Sequence, residues 1–403
     1  MNENKIKQEV YLMKFQGLTI GVPKEIMAGE KRVAVTPETA KKFINDGARV
    51  LVQSGAGEGS FIDDNRYAEV GAELVADASQ VFAEADIILK VKEPQFNQEL
   101  DQHETELVGE GKVLVSFLHP ATPSNHDAVR TLAERNVISY TMDAVPRISR
   151  AQKMDALTSM STVAGYKSAI FAANHLKRFV PMIPTALGTI KPAEILVVGA
   201  GVAGLQAIGT AKRLGARVSS LDIRPEANEQ AKSLGASVLD FEVPEELAMA
   251  EGGYAQRLPE EWYEKERELI KSEIEKFDAI ILSALIQGEK APVLITEEMV
   301  EMMNKGSVIV DISIDQGGNC ELSRGGEEFV HDGVMISAIL NIPTSVCIDA
   351  TRMYAQNIYS FVEHLVEDGE VRSDSDDQII RDTNVTLNGE VVHQGTLKAM
   401  NEA

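Results

Sequence analysis

Short apolar runs alternate with amphipathic or charged stretches along this chain, and the alternation happens twice. The first series is LTIGVPKE, ARVLVQSG, AELV, ADIILKVKEP and KVLVSFLHP, each run stopped by Gly or Pro. Thr36-Pro37 opens a helix running to Asp46, with a capping side chain followed by a first-turn proline. Strands and helices in this order predict βαβ units and a parallel sheet. The second series is EILVVGAG, ARVSSLDI and ASVLDF, resumed after an acidic stretch by FDAIILSAL, GSVIVDIS and GVMISAIL. Residues 149–177 lack proline and carry few strand formers, which predicts one long helix. Pro181, Pro184 and Pro192 then mark a linker, and residues 349–367 predict a closing helix. Residues 1–16 are polar and read as a loose extension. The acidic stretch between Val243 and Lys276 reads as a surface insertion with i,i+4 charge pairing.

The expected architecture is α/β, with two Rossmann-like, doubly wound parallel-sheet domains and a cofactor cleft between them. The expected domains are residues 1–150 with 345–403, and residues 151–344.

The most informative run is the apolar strand ending at Val198, followed by Gly199-Ala-Gly201-Val-Ala-Gly204 and a helix-compatible LQAIGTAKRL. GxGxxG between strand and helix has a mechanical reading. Gly199 permits the tight turn, Gly201 lets the backbone approach a pyrophosphate, and Gly204 lets helix and strand pack closely. Asp222 ends the next strand, where a carboxylate accepts from ribose hydroxyls and repels a 2′-phosphate. NAD is therefore the expected cofactor, although Arg224 close by weakens the preference over NADP. The alternative is a glycine turn serving the sheet alone.

Charge and cysteine content narrow the surroundings. A net charge of −23 repels nucleic acid and anionic lipid. Cys320 and Cys347 offer neither a disulfide framework nor a CxxC metal spacing, so no metal is expected and the compartment reads as reducing and cytoplasmic. No apolar run reaches the ~18–20 residues of a membrane helix.

GVPKE with RVAVTP downstream, GAGEGS, GAGVAGLQAIGTAKRLGA, KAPVLIT and GGNC together resemble one superfamily over nearly the whole chain. It contains alanine dehydrogenases and the NAD(H)-binding alpha subunits of proton-translocating transhydrogenases. PRISRAQKMDALTSMSTVAGY and the ending GEVVH resemble the transhydrogenase branch. That resemblance implies that Arg147, Gln152 and Asp155 hold the nicotinamide end, with Thr158 where the family has Ser. It implies that Gly253 and Tyr254 of GGYA close over the nucleotide. It also implies that Val202, Ile223, Arg224, Ala284 and Leu285 join Gly199, Gly201, Gly204 and Asp222 around the cofactor.

Four residues resemble the alanine dehydrogenase catalytic set instead: Arg32 in RVAVTP, Lys92 in KVKEP, His119 in FLHP and Asp315 in IDQGG. A 2-oxo acid needs an Arg for its carboxylate, a cation on its carbonyl and a neutral-range acid/base. Asp315 would orient the histidine or activate water. The structural alternative is a salt bridge for each cation and a satisfied histidine before proline.

The leading expectation is the NAD(H)-binding component of a transhydrogenase. It would pass hydride from NADH to NADP held on a partner subunit, with separate membrane subunits and peripheral attachment at the inner face of the membrane. The alternative is an NAD-dependent dehydrogenase of alanine or another small L-amino acid. The resemblance implies a homo-oligomer, dimeric in the first case and hexameric in the second. A non-catalytic NAD sensor is a third, weaker reading.

Overall fold

The computed structural model describes residues 13–249, 255–286, 290–373 and 376–402. It divides into two compact units, Met1–Leu157 with Cys347–Ala403, and Thr158–Val346.

The first unit is built on an eight-stranded sheet. From one edge its strands are Glu390–Val391, Asn384–Leu387, Ile138–Thr141, Val113–Ser116, Ile87–Leu89, Thr19–Val22, Arg49–Gln53 and Glu73–Val75. The last six run parallel, and the two C-terminal strands add an antiparallel edge that the apolar pattern did not announce. Ile87, Ile88 and Leu89 are wholly buried, as expected where helices cover both faces of a parallel sheet. The chain winds outward in one direction from Thr19–Val22 and in the other from Ile87–Leu89. These neighbours therefore form the switch point where loops part and leave a crevice. GVPKE and KVKEP are the loops that leave those two strands.

The helix Pro37–Asn45 begins as expected. Thr36 caps it in a reciprocal pair with Thr39, and Pro37 occupies the first turn. The N-terminal reading needs correction at Phe15, which is fully buried and packs edge-on against Phe43.

The second unit carries a seven-stranded sheet in the order Ser237–Val238, Arg217–Leu221, Glu194–Val198, Ala279–Leu282, Val308–Asp311, Val334–Ser337, Glu328–His331. All pairs are parallel except the last, where Glu328–His331 turns back along the edge. Its switch point lies between Glu194–Val198 and Ala279–Leu282, so the turn at Gly199 and the segment after Leu282 flank one crevice.

Two expectations about connections are corrected. The predicted long helix is a 3₁₀ turn, Ser149–Met154, followed by the α-helix Ala156–His175. Asp155, with ψ of 85°, breaks the two apart. Ala151 and Met154 are buried at a three-residue spacing, and Asn357 Nδ2 donates to the Lys153 carbonyl at 2.9 Å, so packing overrides helix propensity. The proline linker contains a hairpin, Ile183–Thr185 with Gly188–Ile190.

Helix Ala156–His175 crosses the start of helix Val202–Arg213 at Gly165, where a Cβ would lie 2.0 Å from the Ala203 carbonyl oxygen. Gly165→Ala should therefore destabilise the protein by about 1–3 kcal/mol although Ala is the better helix former. Calorimetry should show Tm lowered by several degrees; an unchanged or raised Tm would contradict the close crossing.

Candidate functional site

The glycine turn of the second unit divides its labour between packing and open space. Gly199 has φ of +87°, and a Cβ there would lie 2.8 Å from Ser283 and Ala284 backbone atoms. A Cβ on Gly204 would lie 1.8 Å from the Gly199 carbonyl oxygen. A Cβ on Gly201 would meet only Arg224 Nη2, at 3.8 Å. Gly199 and Gly204 thus serve strand–helix packing, while Gly201 leaves room for a ligand's backbone approach. Helix Val202–Arg213 starts at Gly201 with no side chain capping it, so its N–H groups and dipole are suited to phosphate oxygens. These residues fit the pyrophosphate of a dinucleotide.

Asp222 is buried and its acceptor positions are taken. Oδ1 accepts from Arg224 N at 2.8 Å and Nε at 3.0 Å; Oδ2 accepts from Ala200 N at 2.7 Å and Arg224 Nη2 at 2.9 Å. A carboxylate offers about four such positions. Ribose hydroxyls can use this acid only by displacing the Arg224 guanidinium. Ile223, half-buried, packs against the core beside it.

Glu266 was not anticipated. Its helix, Glu260–Glu273, read as a solvated face with charge pairs, yet Glu266 is only 3% exposed. Burial, with the Asp222 charge adding and Arg267 opposing, pushes its carboxyl up to about 8, so it is neutral at pH 7. On the other side of the switch point, Asn319 holds Ala284 by both backbone groups, accepting from its N–H at 3.0 Å and donating to its carbonyl at 2.9 Å. Leu285 beside it is exposed. Asp311, fully buried, accepts from Asn319 N, Cys320 N, Ser313 and Ser323 and so anchors this latch. The GGNC motif held the signal for Asn319; nothing in the pattern marked Asp311. Val202 and Thr158 are half-buried in this unit. Gly253 and Tyr254 lie outside the described residues.

In the first unit, residues 147–155 form the turn before Asp155. Arg147 and Gln152 are exposed and Asp155 half-buried. The crevice at the switch point holds a separate cluster. Tyr354 donates to the Lys90 carbonyl at 2.7 Å, and Glu25, Arg32, Asp143 and Glu30 all bear on its hydroxyl electrostatically. Phe117 lies between Tyr354, at 5.3 Å, and His119, on which it stacks at 5.7 Å.

The structure brings Arg32, Lys92 and His119 to this end of the sheet and leaves Asp315 in the other unit, exposed on the turn Ile314–Gln316. Within the first unit the carboxylate that meets His119 is Asp143. His119 Nδ1 lies 2.7 Å from Asp143 Oδ1, and the His119 backbone N–H donates to Oδ2 at 2.8 Å. Those two contacts hold a left-handed φ of 44° at a non-glycine residue. Burial alone would lower the His119 pKa; the Asp143 carboxylate outweighs it and raises the value, with Lys92 opposing. Burial would raise Asp143, but the His119 charge and hydrogen bonds from His119 and Thr141 bring it down to about 2.

Arg32 is 2% exposed, and its Nε and Nη2 pair with Glu30 at 2.8 and 2.6 Å, so the fork a substrate carboxylate would use already holds a carboxylate. Lys90, two residues before the half-buried Lys92, is fully buried. Lys90 Nζ lies 3.2 Å from both Glu25 and Glu104, and these charges outweigh burial to push it up to about 12. Glu25 also accepts from Val91 N at 2.6 Å, which fixes the backbone just before Lys92. Glu25 and Lys90 stood in the quoted motifs without being singled out. Among the described residues, Glu297, Glu301 and His331 form one group with metal-ligand spacing, at the outer edge of the second sheet.

A glycine turn with an acid at the next strand end, placed at the switch point of a doubly wound sheet, defines a dinucleotide-binding α/β protein. The family description "Alanine dehydrogenase/PNT" matches residues 21–164 with its N-terminal domain and 168–394 with its C-terminal domain. The chain is 42% identical over 380 residues to an NAD(P) transhydrogenase alpha-subunit polypeptide of Rhodospirillum rubrum, covering 93% of this chain and 98% of that protein. It is 30% identical over 390 residues to the alanine dehydrogenase of Methanococcus maripaludis, covering 95% of this chain and 96% of that protein. The crystal structure of transhydrogenase from Sinorhizobium meliloti superimposes with a TM-score of 0.80 at 37% identity, over 93% of this chain and 100% of that one. The chain belongs to the alanine dehydrogenase/PNT family of oxidoreductases, whose ligands are nicotinamide nucleotides. No helix among the described residues is long and apolar enough to cross a membrane.

The His119–Asp143 pair predicts a defined titration. A raised histidine pKa stabilises the fold below the unfolded value of about 6.5, and this is lost as pH rises through the folded value. The depressed Asp143 stabilises above about 3.9, and this is lost as pH falls toward 2. Both hold between those limits. NMR titration should place His119 above 6.5, and Asp143→Asn should lower it, because the carboxylate that raises it is gone. A pKa unmoved by that substitution would contradict the pairing.

Proposed function

We propose that this chain is the NAD(H)-binding alpha component of a membrane transhydrogenase. It positions NADH for hydride transfer to NADP carried on a partner subunit. The observation that carries the reading is the end-to-end match to a transhydrogenase alpha-subunit polypeptide, at higher identity than to an alanine dehydrogenase. PRISRAQ and the exposed Arg147 and Gln152 support it.

The turn that Gly199 and Gly204 allow brings the backbone at Gly201 and the helix N-terminus against the pyrophosphate, while Ala284 and Leu285 border the dinucleotide. Asp222 receives the adenosine ribose after Arg224 moves aside, and its charge rejects a 2′-phosphate; this favours NAD over NADP. The reduced nicotinamide supplies the hydride. Arg147 and Gln152 bind the carboxamide and ribose groups, and Asp155 orients Arg147. No residue here has to protonate a product, so catalysis by this chain is positioning. Membrane-embedded and NADP-binding subunits are separate partners in this reading, and the chain sits peripherally on them.

One observation favours a second reading, an NAD-dependent dehydrogenase of small L-amino acids. His119 is oriented by Asp143 as a general acid/base would be, with Lys92 near enough to influence its charge. The Glu30 fork on Arg32 argues against it.

Fluorescence titration should give NADH binding at least about tenfold tighter than NADPH, with the difference largely lost in Asp222→Asn. NAD⁺ with L-alanine and other small amino acids should give no steady turnover. Equal binding of NADH and NADPH would refute the NAD assignment. Steady turnover abolished by His119→Ala would replace the transhydrogenase reading with the dehydrogenase.

A further inference from the structure

We propose that Asp377 is a positioning residue for the segment 147–155, acting through Arg150 without touching the nucleotide. The inference rests on the reading of that segment as the nicotinamide contact.

The turn Ser149–Met154 is short and lies between Arg147 and Asp155. A 3₁₀ turn of this length has poor hydrogen-bond geometry of its own and takes its orientation from what it is tied to. Two ties come from the C-terminal return of the chain. Asn357, on helix Cys347–Leu365, donates to the Lys153 carbonyl at 2.9 Å. Arg150 Nη1 and Nη2 donate to Asp377 Oδ2 and Oδ1 at 3.0 and 3.1 Å, fork to fork. A bidentate pair fixes direction as well as distance.

Asp377 is itself held from several sides. Its Oδ1 accepts from Ile379 N at 2.8 Å and so caps helix Gln378–Thr383. His364 Nε2 lies 3.0 Å and Arg372 Nη2 3.9 Å from Oδ2. The carboxyl is 9% exposed while the Arg150 side chain is 52% exposed. A pair with one partner so exposed contributes little to global stability. Its geometric effect is larger, because Arg150 stands in the same turn as Gln152 and one residue beyond Ser149 from the Arg147-Ile148 pair. Small displacements of groups that orient a reacting ring are costly in rate, whereas the adenosine half of a dinucleotide would not register them.

The test uses two probes, NADH and ADP, which lacks both the nicotinamide and its ribose. Kd values are measured for the wild type, Asp377→Asn, Asp377→Glu, Arg150→Gln and Gln152→Ala. Asp377→Asn keeps an oxygen to cap Ile379 but loses the charged fork. Asp377→Asn and Arg150→Gln should each weaken NADH by about tenfold while ADP changes less than about twofold. Asp377→Glu, which keeps the charge, should hold the ratio of the two constants nearer the wild-type value. Should Asp377→Asn fail to fold, Arg150→Gln at an exposed side chain carries the test. A NADH to ADP ratio unchanged in Arg150→Gln, but lost in Gln152→Ala, would overturn the positioning role alone. A ratio unchanged in Gln152→Ala as well would overturn the reading of the segment on which it rests.

Discussion

The contact on which the nucleotide unit depends is the one between Gly204 and the Gly199 carbonyl. No side chain fits where a Cβ would lie 1.8 Å from that oxygen. Helix Val202–Arg213 can therefore seat against its strand at backbone distance, with its N-terminus brought over the switch point. The rest follows from that seat. Ala200 N meets Asp222, Ser283 Oγ donates to the Gly199 carbonyl at 2.7 Å, and Asn319 latches Ala284 beside it. Two strand ends, a helix start and a buried acid are tied into one crevice by hydrogen bonds between side chains and backbone.

Buried carboxylates do the equivalent work elsewhere. Glu25 and Glu104 flank Lys90, Glu30 grips Arg32, Asp143 holds His119 and Asp311 gathers four donor residues. Each is expensive to bury unless its oxygens find donors; Glu25, Glu30, Asp143 and Asp311 sit at the carboxyl end of a strand or on the segment that follows, and Glu104 opens a helix. Such networks exchange stability for a fixed loop geometry. The same arrangement holds the His119–Asp143 pair in the crevice of the first unit.

The doubly wound sheets and the glycine turn were legible because their signals are local. Apolar runs of strand length, a proline at a helix start and GxGxxG between strand and helix all act within a few residues. What stayed hidden depends on partners distant in sequence. Asp143 meets His119 across two neighbouring strands, and Asp377 meets Arg150 through the returning C-terminal segment. Glu266 looked like a surface charge because i,i+4 pairing does not tell which face a core covers. The break at Asp155 was hidden for the same reason, since packing of Ala151 and Met154 decided the turn. The contact of Asp143 with His119 within the first unit had no signal in the motif that drew attention to Asp315.

The most direct measurement is isotope transfer. The chain is combined with an NADP-binding transhydrogenase subunit, NADH deuterated at the transferring position of C4, and NADP⁺, and the NADPH formed is analysed by mass spectrometry. Direct transfer predicts deuterium in NADPH without exchange into water, and a marked slowing in Gln152→Ala. Unlabelled NADPH, or none, together with deuterated alanine from pyruvate and ammonia, would contradict it.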